Sequence, residues 1–449
     1  MALPETSDAS ETSVGSTGHL AQVKLFLAEQ RNLPNLKKLP RASDPELGKL
    51  PQLELVKLKD LCEDIARFAT GAHADRLERP TCLGKVFGAF ECVSGATLRP
   101  PRRRGRRHDA PSGADPAPSQ CATEFHLFDR LSQIYGGTFR GSVVGNCLLG
   151  VFASATVLYS LSKPTAMQWL IEYLPTFLPP LTLATLIELV CLVLIGAVYF
   201  RGNIRESDEH SAAPIKKSHW GAHRWHQRWL EYRLLAERFR YADLLLPLGA
   251  NIALRLAIAP KNSASRMWHE RYFKWRVSCA TQSTQTDRQY RDHVLAVIAE
   301  QEDYHRQNHH RRGTIAHRLD RLAKVAFFIA LGMCGAELAV AFHVIAHPTP
   351  WEDIVPSQFL AALFPVIAAA AYTILTHAEY AKAADASDEI FERIRELYEK
   401  LGAMPMLDIR ATEDSLAGMA SIVIEFAETS ITEATGWRAM LRDKSIPLL

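Results

Sequence analysis

The chain has 449 residues, with 52 Lys and Arg against 49 Asp and Glu and a formal net charge of +3, so bulk charge gives no reason to expect nucleic acid as a partner. Mean hydropathy is near neutral at −0.07, which would suit a soluble protein, but the apolar residues are gathered into four blocks. The eight cysteines form no CxxC pair, and Cys147, Cys191 and Cys334 lie in apolar blocks, which excludes a disulfide framework and a zinc ribbon and fits a reducing cytoplasm.

Residues 1–95 read as a small, partly helical N-terminal cytoplasmic region. Met1 to Gly18 is polar, without an apolar core behind positive charge, so no cleavable signal peptide is expected. Leu58, Leu61, Ile65 and Phe68 recur on one face of a helix. No strand, Gly-rich loop and helix follow one another to cradle a phosphate. Residues 96–120 are rich in Arg and Pro and predict a disordered basic linker beside the membrane.

Four stretches are long and apolar enough to cross roughly 30 Å of hydrocarbon: Val143–Leu161, Leu181–Phe200, Val325–Ala346 and Ser357–Thr376. They divide the remaining chain into a unit over 121–323 and a second hairpin with C-terminal helices over 324–449. The expected fold is all-α: a membrane bundle of two hairpins extended by long cytoplasmic helices. Residues 201–324 carry 23 Lys and Arg against 13 Asp and Glu, whereas the loop before span two has Lys163 as its one basic residue and the loop before span four has no basic residue and carries Glu352 and Asp353. The positive-inside rule then puts both termini in the cytoplasm, with Trp169, Tyr173 and Trp351 outside, as in a bacterial inner membrane.

The central segment holds a repeat. Residues 225–233 read WHQRWLEYR and residues 268–276 read WHERYFKWR. Trp225, Trp229, Tyr232 and Ala236 share one helix face, as do Trp268, Tyr272 and Trp275, which predicts two amphipathic helices packed together or between subunits. A second echo precedes the odd-numbered spans: His126–Leu131 and His317–Leu322 both fit H-x-[FL]-D-R-L. After span four, residues 378–400 continue as a mostly polar helix, and residues 412–442 bury Leu416, Met419, Val423, Phe426 and Trp437.

Two carboxylates stand inside spans, Glu188 and Glu337. An intramembrane acid is costly and faces a bundle interior or a water path, so pore lining and helix-to-helix hydrogen bonding are the two readings. Gly332, Gly335 and the run Ala368–Ala371 suggest close helix packing. Glu302, His305 and His309 have the spacing of half a carboxylate-bridged metal site, but no partner half exists, so no metal, no cofactor and a solvated basic helix are expected. No nucleophile elbow, Walker loop, kinase set or dinucleotide fingerprint occurs, so no catalytic residue is assigned and no enzyme is expected.

The stretches FHLFDRLSQIYGGTFR (125–140), WHQRWLEYRLLAERFRYADLLLPLG (225–249), EQEDYHRQNHHRRGTIAHRLDRL (300–322) and GWRAMLRDKSIPLL (436–449) together resemble the SLATT families. These are bacterial two-transmembrane effectors associated with SMODS nucleotidyltransferases and SLOG domains. The likeness covers residues 124–449. It implies a pore-forming or membrane-perturbing effector of an anti-phage conflict system, homo-oligomeric among membrane lipids and triggered by a nucleotide signal. The chain departs from the family in having four spans and no sensor domain over residues 1–120, so a SLOG-type sensor would act in trans. The alternatives are a membrane anchor or scaffold recruiting a cytosolic partner, and a small ion channel or transporter.

Overall fold

The computed structural model describes residues 57, 58, 60–65, 81–94, 119–162, 180–202, 225–255, 268–280, 287–341, 357–404, 413–441 and 446. The basic linker up to residue 118, both predicted outer loops with Trp169, Tyr173 and Trp351, and Phe68 lie outside the described residues, as do the side chains of Leu416 and Glu337. Every described element is helical and none is a strand. In chain order these are α1 (Cys82–Val93), α2 (Gln120–Ser162), α3 (Pro180–Gly202), α4 (Trp225–Leu245), α5 (Ala250–Arg255), α6 (Trp268–Ser278), α7 (Asp287–Ala341), α8 (Ser357–His377), α9 (Tyr380–Ala403) and α10 (Glu413–Leu441). Residues 57–65, residue 59 aside, add a further helical fragment.

Three stretches are helical, long and apolar enough to cross a membrane: Gln120–Tyr159, Thr185–Gly202 and Gln358–Ala403. Their outward faces are of the kind lipid covers and water does not. Leu189, Val190, Val193 and Phe200 of α3 and Leu148 and Phe152 of α2 are all exposed; leaving so much apolar surface in water would cost about 25 cal/mol per Å². The predicted third span, Val325–Ala346, is described only as far as Ala341, where it forms the end of α7. Its Val325, Phe327, Phe328 and Leu331 are likewise exposed. Nothing among the described residues lies within 4 Å of a Cβ added at Gly332 or Gly335. A close approach falls at Gly141 of α2, where a Cβ would run into the backbone carbonyl of Leu83 on α1. Ala370 and Ala371 of α8 are buried, in a core shared with Val144 and Cys147 of α2 and Ile315 and Leu319 of α7. Thus α2 packs against α3 and α8, and α7 packs against α8 and α9.

The polar remainder is a helical body with its own core. That core joins Leu58, Leu61 and Ile65 to Phe128 and Tyr135 of α2, to α4, α6 and the first part of α7, and to Ile394, Val423 and Phe426 of α9 and α10. Its centre is α4. The sequence gives α4 the look of an amphipathic helix, but Leu230, Glu231, Tyr232, Leu234, Leu235, Ala236, Glu237, Arg238 and Phe239 are all buried. Neighbours surround it: α2, α6 and α10. Between α8 and α9, Glu379 sits in the left-handed region (φ 49°, ψ 38°), a strained geometry for a non-glycine residue. That break ends the helix expected to run on from the fourth span, and it places Tyr380 at the start of α9.

Candidate functional site

The repeated aromatic segments form α4 and α6, and they meet. Trp268, fully buried, donates its indole N–H to Glu231 Oε2 at 3.0 Å. Tyr232 and Trp268 make an edge-on ring pair at 6.4 Å, and Phe239 packs on Tyr272 and Phe273 at 6.2 and 5.2 Å. Trp225, Tyr232, Trp268 and Tyr272 are buried, while Trp229 and Trp275 are half-buried. Trp229 lies on Phe139 at 5.9 Å and fills the space beside Gly136, where a Cβ would come within 2.7 Å of its indole nitrogen.

Around these rings runs a layer of buried charge. Asp64 accepts hydrogen bonds from the hydroxyls of Tyr135 and Tyr232, both 2.6 Å, and from Arg228 at 2.7 Å; Arg228 also reaches Asp60 at 3.0 Å. Burial pushes the Asp64 carboxyl above its usual range, against the pull of Arg228 and the two phenols. Glu124 of α2 holds Arg276 of α6 at 2.6 Å and accepts from Tyr272 at 3.1 Å. Glu237 is shared between Arg233 and Arg240, at 2.5 and 2.9 Å. His305 is not solvated as the sequence suggested: it is 2% exposed and faces Glu433 at 3.9 Å, and burial pulls its pKa down to about 4. No metal-holding group of three ligands occurs among the described residues.

A cavity of about 530 Å³ opens where the body meets the apolar helices. α1 contributes Phe87 and Glu91, α2 Arg140, α4 Trp229, Arg233 and Glu237, α7 Arg311 and Arg312, α9 Tyr380, and α10 Glu433 and Trp437. Arg140 lies over the Phe87 ring at 4.7 Å and the Trp229 ring at 5.3 Å, and Arg312 lies over Trp437 at 5.3 Å. Such stacking holds a guanidinium flat and leaves its edge free for an acceptor. Arg311 pairs with Glu91. The sequence reading singled out Trp229 and Trp437 but not Arg140, Arg312 or Tyr380. Their spacing along the chain has no motif, because six helices bring the lining together.

Glu433 gives this wall of the cavity a titratable edge. Burial, with Glu237 adding to it and Arg233 and the Trp437 indole opposing, pushes its pKa from 4.5 up to about 7. A carboxyl raised in this way favours the fold below its unfolded value, and that contribution is lost as pH rises through about 7. Glu433→Gln is therefore expected to raise thermal stability at pH 8 by up to about 3 kcal/mol and to change it little at pH 4.5. Unfolding midpoints of both proteins at the two pH values check this; an equal difference at both would contradict it.

Of the two acids inside spans, Glu188 falls on α3, half-buried, at i−3 and i−7 from the buried Cys191 and Ile195, on the stripe that packs toward α2. Glu337 falls on α7. The geometry thus defines an all-helical protein with helices able to span a membrane and a basic, aromatic cavity at their base. Comparison with protein-family models, with curated proteins and with solved structures finds no match for the chain.

Proposed function

We propose that this chain is a membrane effector whose helical body controls the packing of its spans, and through it the permeability of the membrane. In this reading the four spans form two hairpins in a bacterial inner membrane, with both termini and the body cytoplasmic. The trigger is a nucleotide signal or a sensor protein acting in trans, as the resemblance to the SLATT families implies. The conducting form is a homo-oligomer, because two intramembrane carboxylates per chain are too few to line an aqueous path alone; rings of Glu188 or Glu337 would then select cations.

The observation that carries the proposal is the continuity of two helices. α2 has 43 residues and α7 has 55, lengths of about 65 and 80 Å at 1.5 Å per residue. α2 presents Phe128 and Tyr135 to the core of the body and Val144 and Cys147 to the apolar bundle. α7 does the same with Val294 and Ile298, then Ile315 and Leu319. An unbroken helix transmits a displacement at one end to the other, so a change in the body moves the spans. The cavity lies against both helices.

Expression of the chain with its trigger present should depolarise the membrane, read with a potential-sensitive dye. Glu188→Gln should alter the ion preference while insertion stays intact. A membrane potential unchanged over the full range of expression, with the protein inserted, would refute permeation and favour an anchor or scaffold.

A further inference from the structure

We propose that the cavity at the base of the spans is a phosphate-binding site, taking the phosphate group of a small anionic ligand on Arg140, Arg312 and the hydroxyl of Tyr380. This rests on reading the cavity as the place where the body senses its trigger, and adds the chemistry of that trigger.

The charge balance of the lining leads there. Of the four arginines, Arg311 is paired with Glu91, and Arg233 is shared between Glu237 and Asp129. Arg140 and Arg312 have no carboxylate within ion-pair distance among the described residues; they lie over aromatic rings, Arg140 Nε donates to the Gly136 carbonyl at 3.1 Å, and Glu91 and Glu433 act on them only from farther off. Among the described residues nothing hydrogen-bonds the terminal nitrogens of either guanidinium, which leaves them to a ligand. Tyr380 is 4% exposed and its hydroxyl is buried without a hydrogen-bond partner among the described residues. An unpaired buried hydroxyl is costly and is rarely left so unless something arrives to complete it.

Two forked cations and one hydroxyl donor suit a tetrahedral anion with three or more acceptor oxygens better than a planar carboxylate, which one guanidinium satisfies. The volume, about 530 Å³, is that of an organic ligand and far exceeds a bare ion. Phe87, Trp229 and Trp437 supply apolar and π surface for the rest of such a molecule. Two sources share this chemistry. One is a soluble phosphate ester of nucleotide size. The other is the headgroup of an anionic lipid, since Arg140 lies just before the apolar stretch of α2 and Tyr380 just after that of α8.

The test uses the full chain. Purified in detergent, it is titrated with ATP, AMP and inorganic phosphate, and the unfolding midpoint and tryptophan fluorescence are followed. Reconstituted in phosphatidylcholine nanodiscs with or without phosphatidic acid, it is followed by the same readouts. Saturable shifts with the soluble probes support a free phosphate ester, and a shift confined to phosphatidic acid supports the lipid headgroup. Arg140→Gln and Arg312→Gln should each weaken binding about tenfold or more, and Tyr380→Phe should weaken it less. Should Arg140→Gln fail to fold, Arg312→Gln and Tyr380→Phe still decide the matter, because both keep the local packing. No shift with any probe, or arginine variants that fold and bind as the parent does, would overturn the site. Binding without depolarisation would strike the permeation proposal and leave this site standing; depolarisation without binding would do the reverse.

Discussion

Asp64→Ala is expected to destabilise the helical body by about 3–5 kcal/mol, the cost of removing one partner from a buried charge pair. Asp64 is 1% exposed and satisfies three donors at once, on two other elements: Tyr135 of α2 and Arg228 and Tyr232 of α4. Its loss leaves Arg228 with Asp60 alone as a carboxylate and strips two buried phenols of their acceptor. Burying a guanidinium short of its counter-charge is the larger part of the cost. Tyr232→Phe removes one donor and leaves the ion pair, so it should cost only about 1–2 kcal/mol. Thermal or denaturant unfolding of the purified chain, with amide exchange in α4, measures both. A loss below about 1 kcal/mol for Asp64→Ala would mean that the network is open to solvent and not a structural lock.

How much of this was legible in the sequence varies by element, for physical reasons. The apolar stretches of α2, α3 and α8 show in composition alone, because a helix in hydrocarbon must be apolar on all sides. The faces Leu58, Leu61, Ile65 and Met419, Val423, Phe426 show because helical periodicity repeats locally. The Trp-rich repeat announces itself because tryptophan is rare. The burial of α4 does not show. Glu231, Glu237 and Arg238 look like the polar side of an amphipathic helix; Glu231 and Arg238 are buried against opposite charges from other elements, Lys57 and Glu270, while Glu237 is paired within α4 by Arg233 and Arg240. Asp64 and its partners are separated by 71, 164 and 168 residues, so no spacing rule connects them. The cavity is hidden for the same reason. Arg140 in the sequence is one of several arginines ahead of the first apolar stretch, and only the fold stacks it on Phe87 and Trp229.

The glycines of α2 carry the second large effect. Gly137, Gly141 and Gly145 recur every four residues, on one face, and α1 crosses that face. A Cβ at Gly137 would lie 3.7 Å from the Gly84 Cα, in ordinary contact, but at Gly141 it would strike the Leu83 carbonyl. The obstacle is backbone against backbone, so no side chain can turn aside to relieve it. The helices must separate, and with them goes the hydrogen bond between the Thr81 and Thr138 hydroxyls, 2.8 Å. Gly141→Val is therefore expected to release α1 at a cost of about 3 kcal/mol or more, the upper end for overpacking. Because α1 brings Phe87 beneath Arg140 and Glu91 to Arg311, the same change should open one wall of the cavity. Amide exchange over residues 82–93 should quicken at least about tenfold, the factor that 1.4 kcal/mol corresponds to, with α4 protected as before. Gly196→Ala on α3, where nothing among the described residues lies within 4 Å of the added carbon, is the control and should leave both regions unchanged. Full protection of residues 82–93 in Gly141→Val would show that α1 does not rest on this crossing, and that the cavity wall is held from its other side, through Arg311.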